Sequence, residues 1–173
     1  MRRIIISLAL TLFVALAAAG CGSDHDDTDV TFARSMIPHH EQAVEMAKLA
    51  STRAADPRVK ALASQIQAAQ GPEITTMKGW LSGWGEDAGS ASDMDHGMPG
   101  MMSDDEMAGL ERATGTSFDA MFLTMMIGHH EGAVSMARTE RSDGKSSEVK
   151  ALARKIAKGQ TAEIATMKRL LGQ

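Results

Sequence analysis

The sequence predicts an all-α protein, a four-helix bundle made of two duplicated helical hairpins, and three observations predict it. Residues 29–81 return without a gap as residues 119–171, with 24 identities in 53 positions. Each copy holds two long stretches with apolar residues at three- and four-residue spacing, and no segment alternates apolar with polar as a half-buried strand would. The chain has four Phe, two Trp and no Tyr, so Ala, Leu, Ile and Met must fill its interior, which suits closely packed helices. Two hairpins of two helices each close most economically as a bundle.

The elements follow in chain order. Arg2 and Arg3 precede an apolar run from Ile4 to Ala19 that ends in Ala18-Ala19-Gly20-Cys21. Residues 1–20 therefore read as a secretory signal of lipoprotein type, not a membrane span. The cleavage site resembles a bacterial lipobox, with Ala18 where leucine is usual and Cys21 as the acylated first residue of the mature chain. Cys21 is the only cysteine, so no disulfide can form within the chain. Residues 21–28 read as a solvated tether, with His25 as a surface residue among aspartates. The first helix of copy one carries Phe32, Met36, Ala43, Met46 and Ala47 on its apolar face. Asp56-Pro57 then supplies an N-cap and a proline at the first helical position. The second helix places Val59, Leu62, Ala63, Ile66, Ile74, Met77 and Leu81 on one side. Residues 83–102 join the copies, and their five glycines and one proline exclude a long helix. Ser103 and Glu106 have capping-box spacing, which predicts a short helix over about 104–112. Copy two repeats the hairpin, with residues 142–147 as its turn. Pro38 and Gly128 occupy equivalent positions before His39-His40 and His129-His130. A proline there cannot donate to the Arg34 carbonyl, so the helix is expected to kink or to begin at the histidines. Gly71-Pro72 predicts a second kink that copy two lacks.

From Cys21 onward the chain has 153 residues, in the range of one domain. It carries 16 Lys and Arg against 22 Asp and Glu, a formal charge of −6. That balance argues against nucleic acid or anionic lipid as a partner. The membrane is reached through the N-terminal lipid instead, on the extracytoplasmic face. No nucleophile–base pair with a sequence signature and no phosphate loop is present, so the sequence offers no catalytic set.

The duplicated block, M-I-P-H-H-E-Q-A-V-E-M-A and M-I-G-H-H-E-G-A-V-S-M-A, holds four of the six histidines, each pair flanked by methionines. On a helix Met36 lies about 60° from His39 and about 40° from His40. Met36, His39 and Met46 thus share a stripe with His40 at its edge, and copy two repeats it with Met126, His129, His130 and Met136, Met125 being adjacent. If the bundle is two-fold pseudosymmetric, the stripes converge at its centre. Ferritin-type bundles hold iron through Glu-x-x-His motifs. This chain has Met36-x-x-His39 and Met126-x-x-His129 in their place, and thioether with imidazole favours Cu(I) over iron or zinc. Glu41, Glu131, Glu73 and Glu163 are repeated carboxylates that either hold the ligand histidines from behind or form salt bridges. Met94, His96, Met98, Met101 and Met102 make the join a second candidate tract for a soft ion. Against this, a methionine stripe at helical spacing is more often core filling, and Met77 and Met167 read as packing. Gln70 and Gln160 either bridge helices or line the site.

These blocks, the V-K-A-L-A helices that follow each, Met101 to Glu106, and Phe118-Asp119-Ala120-Met121-Phe122-Leu123 resemble the bacterial domain-of-unknown-function family 305. The likeness spans about residues 29–171. It implies a ferritin-like four-helix fold in an exported or lipid-anchored protein, and some similar members are periplasmic copper-binding proteins. By that likeness His39, His40, His129, His130, Met36, Met46, Met126 and Met136 are the ligand candidates. The functional expectation is a lipid-anchored protein that binds copper and buffers it or hands it to other copper-handling proteins. A small His/Met redox enzyme and a metal-free helical interaction module are the alternatives.

Overall fold

The computed structural model describes residues 24–87 and 98–172, and among them five helices and no strand. The signal at 1–20, Cys21, and Met94 and His96 of the join lie outside the described residues. Helix α1 spans Asp27–Arg53, α2 Pro57–Trp84, α3 Asp104–Arg112, α4 Gly115–Asp143 and α5 Ser147–Leu170.

The helix starts follow from local chemistry. The Asp26 carboxylate accepts from the backbone N–H groups of Thr28 and Asp29, and Asp29 accepts from that of Asp26. This capping box starts α1 at Asp27, so the tether ends two residues before the expected 28. Asp56 caps α2 ahead of Pro57, and Ser103 with Glu106 caps α3 at the expected place. The expected helix start at the histidines does not occur. α1 runs through Pro38 with eleven helical residues before it, and α2 runs through Pro72. A proline inside a helix costs about 3 kcal/mol, but Met36, Ile37, Ala43 and Met46 are all buried around Pro38, and their packing holds the helix across it.

Helices α1 and α2 form one hairpin and α4 and α5 the other, and the hairpins meet along α1 and α4. The two meeting helices run antiparallel, and one residue at each end ties them. Asp29, at the start of α1, accepts from the backbone of Lys145 and Ser146 in the α4–α5 turn at 3.3 and 3.0 Å. Asp119, near the start of α4, accepts from Ala55 and Asp56 in the α1–α2 turn at 3.1 and 2.9 Å. Positions 29 and 119 are equivalent in the repeat, so each copy caps the other's turn.

Two apolar clusters fill the ends of the bundle. One gathers Met46, Leu62, Ile66, Leu110, Phe118, Phe122, Met126 and Met167. The other gathers Phe32, Met36, Met77, Leu81, Val149 and Ile156. Small residues, among them Ala43, Ala47, Ala133 and Ala137, let α1 and α4 approach closely. The buried polar residues of the middle of the helices, His39, His40, Gln70, Glu73, His129, His130 and Gln160, belong to neither cluster. Among the described residues no helix is long and apolar enough to cross a membrane.

Candidate metal centre

The two histidine pairs meet where α1 and α4 pack. The rings of His39 and His129 lie 3.7 Å apart between centroids with their planes tilted by 40°. All four histidines are fully buried. The pseudosymmetric convergence expected from the repeat is therefore present for the histidines.

Their hydrogen bonds set which nitrogen is free. His40 Nε2 lies 2.9 Å from Glu73 Oε2, and His130 Nε2 lies 2.7 Å from Glu163 Oε2. His39 Nε2 lies 3.1 Å from the carbonyl oxygen of Pro99. A carbonyl oxygen only accepts, so the His39 Nε2 carries the proton and its Nδ1 carries the lone pair. Glu73 acts in the same way on His40. Burial opposes its charge, but the bonds to His40 and to the Lys155 ammonium, 3.2 Å away, hold its carboxyl below the ordinary value. The Nδ1 atoms of all four histidines are buried without a hydrogen-bond partner, as is Nε2 of His129. Burial, with His40 close by, pulls the His39 pKa from 6.5 to about 3. Burial lowers His40 as well, against the pull of Glu73, and it lowers His129 strongly with His39 adjacent. These three imidazoles are neutral at pH 7 and available as ligands.

Met36, Met46 and Met126 are fully buried. Met46 and Met126 lie in one apolar cluster and Met36 in the other, so the thioethers divide between the two ends. Met136 departs from its counterpart Met46: it is partly buried and lines a small cavity with Phe32, Thr139 and Glu140. Met77 and Met167 are core residues, as expected. Among the described residues no three His, Cys, Asp or Glu side chains group as one metal site. A centre drawing on the His39/His129 pair therefore needs sulfur or backbone donors beside nitrogen.

The join reaches this layer. Its last residues, 98–102, cross the bundle as a strap that touches both histidine-bearing helices. Gln42 of α1 holds Met102 at both ends of its side-chain amide, accepting from the Met102 N–H and donating to its carbonyl, each at 2.8 Å. On α4, Gly132 stands where copy one has Gln42, and a Cβ there would overlap the Pro99 carbonyl. Gly100, at φ +82°, packs against the carbonyl of Gly128. Met98, Met101 and Met102 are partly buried in this strap. The described end of the join's tract, Met98 to Met102, thus adjoins the histidine layer.

Glu41 and Glu131 do not support the histidines. They are half exposed and pair with Lys78 at 2.6 Å and Lys168 at 3.6 Å. The helix turns their side chains outward, whereas Glu73 and Glu163 occupy core-facing positions. His25 stacks on Trp84 with centroids 4.3 Å apart. Gln70 and Gln160 are buried with both amide atoms unpartnered. Sequence reasoning missed Pro99, which lies outside the repeat, and Gln42 and Gly132, which face each other in the alignment as a difference between the two copies. It also missed Asp29 and Asp119, whose identity in both copies was a usable signal.

A structure of a DUF305 protein from Streptomyces coelicolor matches with a TM-score of 0.78 at 36% identity, over 84% of this chain and 92% of that one. CopM in its Cu(I)-bound form matches with a TM-score of 0.72 at 33% identity, over 84% of this chain and 96% of that one. CopM has also been solved with Cu(II), with silver and in the apo form. An uncharacterised protein of Acanthamoeba polyphaga mimivirus, L153, is 42% identical over 53 residues, 31% of this chain and 35% of the viral protein, so the match spans about a third of that relative's length. The family model of domain of unknown function DUF305 matches residues 29–171, the same span that holds both repeats and all four buried histidines, and the chain belongs to that family.

Proposed function

We propose that this chain is an extracytoplasmic copper-binding protein that takes Cu(I) at the buried His39/His129 layer, tethered to the membrane through an acylated Cys21. The observation that carries the reading is the set of buried, unpartnered Nδ1 atoms at the point where the two copies meet. An orphaned acceptor of this kind costs about 1–3 kcal/mol, and a cation that accepts the lone pair removes the cost.

The donor set fits a soft ion. His39 and His129 are the central imidazole ligands, His40 and His130 are the neighbouring pair that can replace either of them, and Met36, Met46 and Met126 supply thioether from either side. Met136 completes the set only by turning inward from its cavity. Imidazole with thioether selects Cu(I), while iron and zinc favour carboxylate, thiolate or more nitrogen. Glu73 and Glu163 fix the ring orientation of His40 and His130 and raise their basicity as ligands. The CopM structures with Cu(I), Cu(II) and silver support the reading at 32–34% identity. Such a protein buffers copper or passes it to other copper-handling proteins.

The test is an anaerobic Cu(I) titration of the chain from residue 22 against a competing chelator. His39→Ala/His129→Ala abolishes tight binding, and deletion of 94–97, which spares the strap, leaves it. Binding that survives the double variant and disappears with the deletion overturns the bundle site.

A further inference from the structure

A groove of about 440 Å³ runs between α4 and α5, and four cations line it: Arg138, Arg141, Arg154 and Lys158, with Val134 and Ala157 between them. All four are exposed. None of the four pairs with a described acid; Lys48, Arg53, Lys60 and Arg112 are equally unpaired, but they do not line this groove. Arg138 and Arg141 stand three apart on α4, and Arg154 and Lys158 four apart on α5. Like charges at those spacings destabilise a helix, so the arrangement is not a product of helix stability.

The repeat shows that the patch belongs to one copy alone. The equivalent positions of copy one are Lys48, Ser51, Ser64 and Ala68. A net charge of −6 conceals the feature, because charges more than about 8–10 Å apart across solvent are largely screened from each other at physiological salt. What an approaching anion meets is the groove, not the sum over the chain.

The groove begins at a particular end of the bundle. Arg141 lies in the last turn of α4, next to the turn whose Lys145 and Ser146 N–H groups Asp29 holds. That is the end at which α1 starts. Five residues separate Cys21 from Asp27, and the six steps between them span at most about 21 Å. A lipid on Cys21 therefore keeps this end beside the bilayer.

We propose that this groove docks on anionic phospholipid headgroups, whose phosphates lie between the cations of α4 and those of α5. Guanidinium forks match phosphate oxygens. An anionic leaflet attracts each nearby Lys or Arg independently, so four in one groove act together. The inference uses the anchoring reading only to say which end faces the membrane. Its test removes the acyl group, so that the two readings fail separately.

The experiment is co-sedimentation of the unacylated chain from residue 22, which contains every described helix, with vesicles of phosphatidylcholine alone or mixed with phosphatidylglycerol. The chain binds the mixed vesicles at low salt, not the neutral ones, and releases as salt rises. Arg138→Gln/Arg141→Gln/Arg154→Gln/Lys158→Gln weakens partitioning at least about tenfold. Lys48→Gln/Arg53→Gln/Lys60→Gln/Arg112→Gln, with the same loss of charge away from the groove, leaves it within about twofold. Helicity by circular dichroism confirms that both variants fold. No binding to the mixed vesicles overturns the proposal, as does equal loss in the two variants. Binding to soluble polyglutamate with none to vesicles also overturns it and assigns the groove to an acidic protein segment.

Discussion

At the scale of single residues, the site depends on where protons sit. The Pro99 carbonyl and the Glu73 carboxylate each claim an Nε2–H and leave the Nδ1 lone pair free. His129 is the exception, with no carbonyl of the strap or carboxylate on its Nε2, so the repeat's symmetry is broken at its centre. The cause is Gly132, whose missing side chain admits the strap. Gly132→Ala forces Pro99 away and costs about 1–3 kcal/mol of stability, measured by urea unfolding. The same change removes the acceptor from His39 Nε2, so the His39 ring signals shift in an NMR spectrum of the variant. A variant of unchanged stability and unchanged His39 signals shows that the strap does not bear on the helix. Nothing in the sequence marked Gly132, because a glycine in a helix reads only as a weak helix former, and its purpose lies in a segment thirty residues away.

At the scale of elements, the four long helices and the short one were legible because duplication, apolar spacing and caps agreed. Asp56-Pro57 and Ser103 with Glu106 placed two helix starts correctly. The start of α1 was less legible: the tether's aspartates read as solvated charge, whereas Asp26 and Asp29 make a capping box. Of the two outcomes that Pro38 allowed, a kink or a helix start at the histidines, the start is the one that does not occur, and the reason is physical. Local propensity argues for a break there, and burial on both sides overrides it. The histidines were legible as a pair of pairs, but not their free nitrogens, which depend on partners from α2, α5 and the strap. The carboxylates show the limit of repetition as a guide. Glu41 and Glu131 are as well repeated as Glu73 and Glu163, yet the helix faces them to solvent. Asp29 and Asp119 lock the two hairpins to each other, so Asp119→Ala leaves the α1–α2 turn with two uncapped N–H groups. It lowers stability by about 1–3 kcal/mol in chemical denaturation. Asp29→Ala does the same for the opposite turn, and a loss below about 0.5 kcal/mol in both contradicts the mutual capping.

At the scale of the whole molecule, a buried neutral histidine layer makes metal-free stability depend on pH. His39 has a folded pKa of about 3 against 6.5 when unfolded, and His40 and His129 are lowered too. Between those values the unfolded chain binds protons that the folded chain refuses, so stability falls as pH drops below 6.5. His39 alone accounts for about 2 kcal/mol by pH 5. Glu140 acts with the opposite sign. Burial, with Asp29 next to it, raises its carboxyl from 4.5 to about 8, so its contribution falls as pH rises between those values. Three histidines outweigh one glutamate on the acid side, which puts the stability maximum near pH 6.5. Thermal melts across pH 4–9 check this, and Glu140→Gln flattens the alkaline side. A maximum at pH 4–5 contradicts the neutral histidine layer. The central claim is that imidazole and thioether from both copies hold one soft ion in the bundle. X-ray absorption at the copper edge of the Cu(I)-loaded chain tests it most directly. The account predicts mixed nitrogen and sulfur neighbours, with nitrogen lost in His39→Ala/His129→Ala and sulfur reduced in Met36→Leu/Met126→Leu. A purely sulfur environment that neither variant changes would place copper on the join and contradict a site in the bundle.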